Sequence, residues 1–233
     1  MHPDASPTVV ARGGRASPLG DALSGYSRPL LAVFVVATVA TTGVVLGTVD
    51  TTAPPPALPV DVAVTGSLAA LRIAAGVGLL GGAGSTALAT AGLLVRDPRV
   101  RPARGLPSLA VAAVAFVTGT AAAHLAVPHV LALSTASTRG TLAATVDPVG
   151  LVELALFFPV VVGVGCALPA ALVGGVAAGA VPRHTSTRQR GYAALAVVTA
   201  AAVLSPTDVA TFGLFAVPPF VGFGAGVAWL ELR

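Results

Sequence analysis

Two ionisable residues lie inside long apolar runs of this sequence, Arg72 and Glu153. A charge at membrane depth is expensive and by default marks a functional position with a partner to be found. Arg72 is expected to snorkel its guanidinium toward an interface. Glu153 is expected either at the outer interface or against such a partner. A third acid, Asp208, sits in Leu204-Ser205-Pro206-Thr207-Asp208-Val209, between two apolar runs, the second of which contains Pro218-Pro219. With no water to satisfy it, backbone broken at such a point must lie in a headgroup zone, a polar cavity or a protein interface. His124 and His129 are five residues apart and, with Glu153, fall toward the same side of the chain. They would be the raw material of an intramembrane enzyme, which needs a positioned acid, base, nucleophile or metal set. Their spacing matches no metal pair and no third ligand is near. The chain is therefore read as a non-enzyme without metal or cofactor.

Other motifs have plain structural readings. Gly76-Val77-Gly78-Leu79-Leu80-Gly81 fits the dinucleotide pattern G-x-G-x-x-G, but no strand precedes it and no βαβ unit surrounds it. Small residues that let helices approach closely in lipid account for it. The single cysteine, Cys166, excludes an internal disulfide and any cysteine-based cluster.

Composition sets the elements that must hold these residues. Of 233 residues 55% are apolar and 9% charged, and the mean hydropathy is +0.90. A soluble domain carries about 25% charged residues, so the chain is an all-α integral membrane protein. Residues 1–28 are polar and expected to be a flexible cytoplasmic tail, with residues 29–233 a six-helix transmembrane domain. The expected spans are 29–48, 67–95, 108–127, 149–180, 192–204 and 209–230. The fourth contains Pro159 and Pro169, which a span tolerates. The fifth has 13 residues, roughly 20 Å at 1.5 Å per residue, against a hydrocarbon core of about 30 Å. The sixth is expected to be interrupted at Pro218-Pro219.

Orientation follows from arginine, the only basic residue besides histidine. Eleven of the 13 arginines fall in the tail, in 96–107, in 181–191 and at the terminus; Arg139 lies on the other side and Arg72 within a span. The positive-inside rule then puts both termini in the cytoplasm of a multi-pass plasma-membrane protein and makes the span count even. A count of five would leave Arg233 outside. The arginines form no aromatic-interleaved face, so no nucleic-acid partner is expected.

The order of these features resembles the TatC family, the polytopic subunit of twin-arginine protein translocation. The resemblance covers most of 30–230 as architecture. Its best motif is Leu204-Ser205-Pro206-Thr207-Asp208, similar to the family's L-[ST]-P-P-D turn, followed by Leu214-Phe215-Ala216-Val217-Pro218. Ala126-Val127-Pro128 is similar to the end of the family's third helix. Arg188-Gln189-Arg190-Gly191-Tyr192 resembles the entry into its fifth, and Cys166-Ala167-Leu168-Pro169 keeps the proline of its fourth. The family's glutamates are missing: Ala167 and Gly224 stand at two of those positions, 22–28 holds none, and Asp97 is the lone acid of its loop and out of register.

The resemblance implies a six-helix, TatC-like bundle with short fifth and sixth helices. It implies a scaffold for signal peptides and partner helices, with lipid, a single-span subunit and another TatC as partners in an oligomer. Within that frame Asp208 would cap the last helix, Pro206 would fix the turn before it, and Pro169 would bend the fourth. Pro218 belongs to the same motif, and Asp97, Glu153 and Arg72 complete the candidate set. Two other readings stay open: a small-solute or ion transporter, which would want more intramembrane polar groups and internal repeats, and a degenerate TatC paralogue with a structural or regulatory role.

Overall fold

A computed structural model of the chain describes residues 18–48, 67–138, 148–182, 187–204 and 209–232, and every described element is helical. In order they are α1 (Pro18–Gly25), α2 (Ser27–Thr48), α3 (Ser67–Arg96), α4 (Pro102–Thr138), α5 (Pro148–Ala177), α6 (Thr187–Leu204) and α7 (Val209–Leu232). The helices pack as α2 on α3, α4 on α5, α7 on α5 and α6 on α7. Described Arg96, Arg99, Arg101, Arg104 and Arg190 gather at one end of the bundle, the arginine-rich end.

Five helices are long and apolar enough to cross a membrane: α2, α3, α4, α5 and α7. The expected fifth span, α6, is not among them. Its first turn is Thr187-Arg188-Gln189-Arg190, which leaves an apolar part of the length anticipated, shorter than the hydrocarbon core.

α6 starts five residues before the expected 192 and α5 ends three before the expected 180; four further departures remain, three of them through proline. α4 begins at Pro102, runs through Pro107 and Pro128 and has 37 residues, where a loop to 107 and an end at Val127 were expected. α7 is not short: it passes through Pro218 and Pro219 without a break and has 24 residues. Proline removes a donor rather than orphaning one; each leaves an unmatched carbonyl one turn back and crowds it with the ring, which neighbouring helices and small backbone adjustments absorb within a span. An unpaired N–H would be the costlier loss in lipid. Pro102 stands at the first helical position, where its missing N–H is free of cost. Fourth, the stretch expected to be a tail contains α1, and the Leu19 N–H donates to the Ala180 carbonyl at 3.2 Å.

α5 ends where Gly179 takes φ +80°. The Ala180 N–H reaches back to the Gly175 carbonyl at 2.9 Å, the left-handed closure that glycine makes without a Cβ penalty. This places Ala178 and Ala180 beside Val100 of the α3–α4 connection, with Leu94 packed against them. The larger core lies at the opposite end: Ala123 and Val127 of α4, Leu154, Ala155, Phe157, Phe158 and Val161 of α5, and Phe215 of α7. The Phe158 and Phe215 rings meet there at 6.3 Å, tilted by 56°, a favoured aromatic arrangement.

Candidate functional site

Arg72 and Glu153 find each other across α3 and α5. Each is the sixth residue of a 30-residue helix. Arg72 Nε lies 2.7 Å from Glu153 Oε1, and Arg72 Nη2 donates to Oε2 at 2.9 Å. Two parallel charge-assisted bonds make this a fork, the strong and directional form of the interaction. The Glu153 side chain is 5% exposed and the Arg72 side chain 42%. The acid is thus enclosed by protein, between Val152 and Leu154, while its partner keeps one flank outward. Sequence reading offered Arg72 a snorkelling role and Glu153 an interfacial one; the structure makes each the other's partner.

One turn further on, the same two helices touch again. The Phe157 ring lies 2.5 Å from the point where a Cβ on Gly76 would stand. A side chain there would force the helices apart, so glycine sets the spacing at which the fork closes. Gly78, Gly81 and Gly82 face Thr42, Thr41 and Thr38 of α2 in the same manner. The glycine run is therefore a helix contact, as its reading in lipid implied. Phe157 was not singled out from the sequence, since an aromatic in an apolar run carries no signal of what it meets.

Pro169 and Pro218 both serve the α5–α7 crossing. The Pro218 carbonyl stands 2.6 Å from a Cβ placed on Gly165, and Pro169 Cα stands 3.0 Å from one on Gly226. Helix backbones pass within contact distance there, and neither proline breaks its helix.

Two acids described at the arginine-rich end, Asp97 and Glu231, are occupied locally. Asp97 accepts the Arg99 backbone N–H at 2.8 Å and the Arg99 guanidinium at 2.8 Å. The Arg99 hydrogen bonds hold the Asp97 carboxyl below its ordinary 3.8. Glu231 pairs with Arg190. His124 and His129 lie on α4 and are both exposed. Among the described residues no three His, Cys, Asp or Glu side chains gather as metal ligands do. Pro206 and Asp208 lie outside the described residues.

An apolar cavity of about 550 Å³ separates the α2–α3 pair from α6, with Phe34, Leu80 and Ala83 on one wall and Leu195 and Thr199 on the other.

An all-helical bundle with several membrane-length helices, clasped by an intramembrane ion pair, defines a polytopic membrane protein. The family model for the Sec-independent protein translocase protein (TatC) matches residues 102–218, from the start of α4 into α7. That is half of the chain, and the chain belongs to the TatC family. The match includes Glu153 but not Arg72. No curated protein and no solved structure matches the chain.

Proposed function

We propose that this chain is a component of a twin-arginine, Sec-independent protein translocase. It acts as a non-enzymatic scaffold for a signal peptide and for partner helices in the plasma membrane. The observation that carries this is the family match over 102–218, which spans α4, α5, α6 and the first part of α7. Both termini face the cytoplasm in this reading, by the excess of arginine at one end, and α6 is the short fifth of six spans.

The state of the acids refines the role. A receptor for a guanidinium pair needs carboxylates free to accept it. Asp97 and Glu231 at the arginine-rich end already accept from Arg99 and Arg190. The chain therefore works as one half of a hetero-oligomer, whose other members, a further TatC and a single-span subunit, supply signal recognition. Asp208 and Pro206 organise the α6–α7 turn in this scheme.

Export of a twin-arginine reporter tests it. Asp208→Ala should stop export while the protein remains inserted, and native-membrane purification should bring a single-span subunit and a second TatC with it. A homo-oligomer that moves a small solute in liposomes would overturn the proposal. That outcome would favour the transporter reading, for which the intramembrane Arg72–Glu153 pair is the supporting observation.

A further inference from the structure

α2–α3 and α4–α5 are built alike. α3 and α5 have 30 residues each. The sixteenth residue of each is a glycine, Gly82 and Gly163. Onto each of these the preceding helix lays a Phe-x-x-x-Thr, Phe34 with Thr38 and Phe116 with Thr120. The phenylalanine carbonyls stand 2.9 and 2.8 Å from a Cβ built on the two glycines, and the rings 3.2 and 3.1 Å. Thr38 Oγ1 and Thr120 Oγ1 are, among the described residues, the buried side-chain oxygens that have no hydrogen-bond partner. Two hairpins with the same lock, down to the same unpaired hydroxyl, are each a rigid unit closed on itself.

The junction between the two units is thin by comparison. Along the membrane-spanning part, α3 meets α5 through the Arg72–Glu153 fork and the Gly76–Phe157 contact, with Val77 and Leu80 at the edge of the core. Toward α6 the first hairpin faces the 550 Å³ cavity. At the arginine-rich end the tie is of another kind. Residues 97–101 connect the hairpins directly and are pinned to the second one where the Arg101 N–H donates to the Ala178 carbonyl at 2.8 Å, while α1, packed on α2 and α3, reaches the second through the Leu19 N–H on the Ala180 carbonyl.

We infer that the α2–α3 hairpin is a hinged arm: it pivots at the arginine-rich end on 97–101, and the Arg72–Glu153 fork is the latch that holds its far end against α5. Two rigid units joined by one short connection with α1 at one end, and at the other by a polar clasp over the single Gly76–Phe157 contact and the edge contacts of Val77 and Leu80, can take two discrete arrangements, which is what a switching element requires. The void toward α6 leaves room for that motion, and opening the latch uncovers the Glu153 carboxylate. The inference goes beyond the proposed function and does not depend on it.

The test is a distance measurement on the full chain in a Cys166→Ala background. One pair of spin labels sits at Leu46 and Leu125, exposed positions on the far halves of α2 and α4. A second pair, at Val95 and Ala177, reports the hinge end. The parent should give one narrow distribution for each pair. Arg72→Gln and Glu153→Gln should each broaden and lengthen the far pair while leaving the hinge pair narrow. The exchange Arg72→Glu with Glu153→Arg should narrow the far pair again. A far-pair distribution unchanged in both single variants overturns the latch. Broadening of both pairs together overturns it too, because the fork would then hold the fold and not an arm. Reporter export is not read in this experiment, so its failure leaves the translocase proposal standing.

Discussion

Arg72→Gln should destabilise the protein more than Glu153→Gln, although both cut the same ion pair. The reason is where each partner is left. Removing Arg72 strands a carboxylate whose side chain is 5% exposed, and breaking a buried pair from one side costs about 3–5 kcal/mol. The open flank of Arg72, 42% exposed, means the site is not fully sealed. That discounts the loss to about 2–3 kcal/mol, because charge screening reaches a partly exposed pair. Removing the charge of Glu153 instead leaves an amide that still accepts one bond. It also leaves an arginine that can turn outward on its long stem, for about 1 kcal/mol. At about 2–4 °C per kcal/mol for a chain of this size, the melting temperatures should fall by about 4–12 °C for Arg72→Gln and about 2–4 °C for Glu153→Gln. Helical circular dichroism during thermal or SDS unfolding in one detergent gives both values. Equal losses, an inverted order, or losses below about 0.5 kcal/mol for both would refute the reasoning, the last being typical of an exposed pair.

Other outcomes follow from the contacts. Gly76→Ala places a methyl 2.5 Å from the Phe157 ring and should cost about 1–3 kcal/mol; a double-mutant cycle with Phe157→Leu should recover part of it. Gly165→Ala pushes against the Pro218 carbonyl at 2.6 Å, where backbone cannot yield, so it should cost at least as much and resist rescue by side-chain changes. Gly84→Ala meets nothing within 4 Å and should be neutral or mildly stabilising, as alanine exceeds glycine in helix propensity. Asp97 should titrate below 3.8 by carboxyl NMR, since Arg99 favours its ionised form. Its contribution is present above the unfolded pKa and is lost as pH falls through the lower folded value. Arg99→Ala should return the midpoint upward.

Much of the architecture is legible in the chain itself. Apolar run length fixes where α2 and α3 lie to within about two residues, because in lipid the helix is the only open-ended way to satisfy the backbone. The shortness of the apolar part of α6 is equally plain, although its first turn, Thr187-Arg188-Gln189-Arg190, reads as loop in the sequence. Proline misled where it was read as punctuation. Pro128 and the Pro218-Pro219 pair would stop a helix in water, yet α4 and α7 pass through them. The interior of the bundle supplies neighbours that hold the backbone helical, and no N–H is stranded. The candidate site was legible only by parts. Glu153 and Arg72 stand out singly as charges in apolar segments, but 81 residues separate them and nothing local joins them. Gly76 was visible as a small residue, whereas the Phe157 that makes it necessary was one phenylalanine among eight. The repeated Phe-x-x-x-Thr lock escapes sequence inspection because its glycine lies on the next helix.

The 81-residue span between Arg72 and Glu153 also bears on how the chain is made. Synthesis at roughly 5–20 residues per second separates the two side chains by about 4–16 s. During that interval α2 and α3 can already close on each other, since every glycine–threonine contact they need has been translated. Arg72 then waits in the membrane without its acid. Its place near the start of α3 and its long stem let it reach headgroups in the meantime. The fork therefore closes only after the first hairpin has formed and the second has begun to insert, and its closure records that the second hairpin stands the right way round beside it.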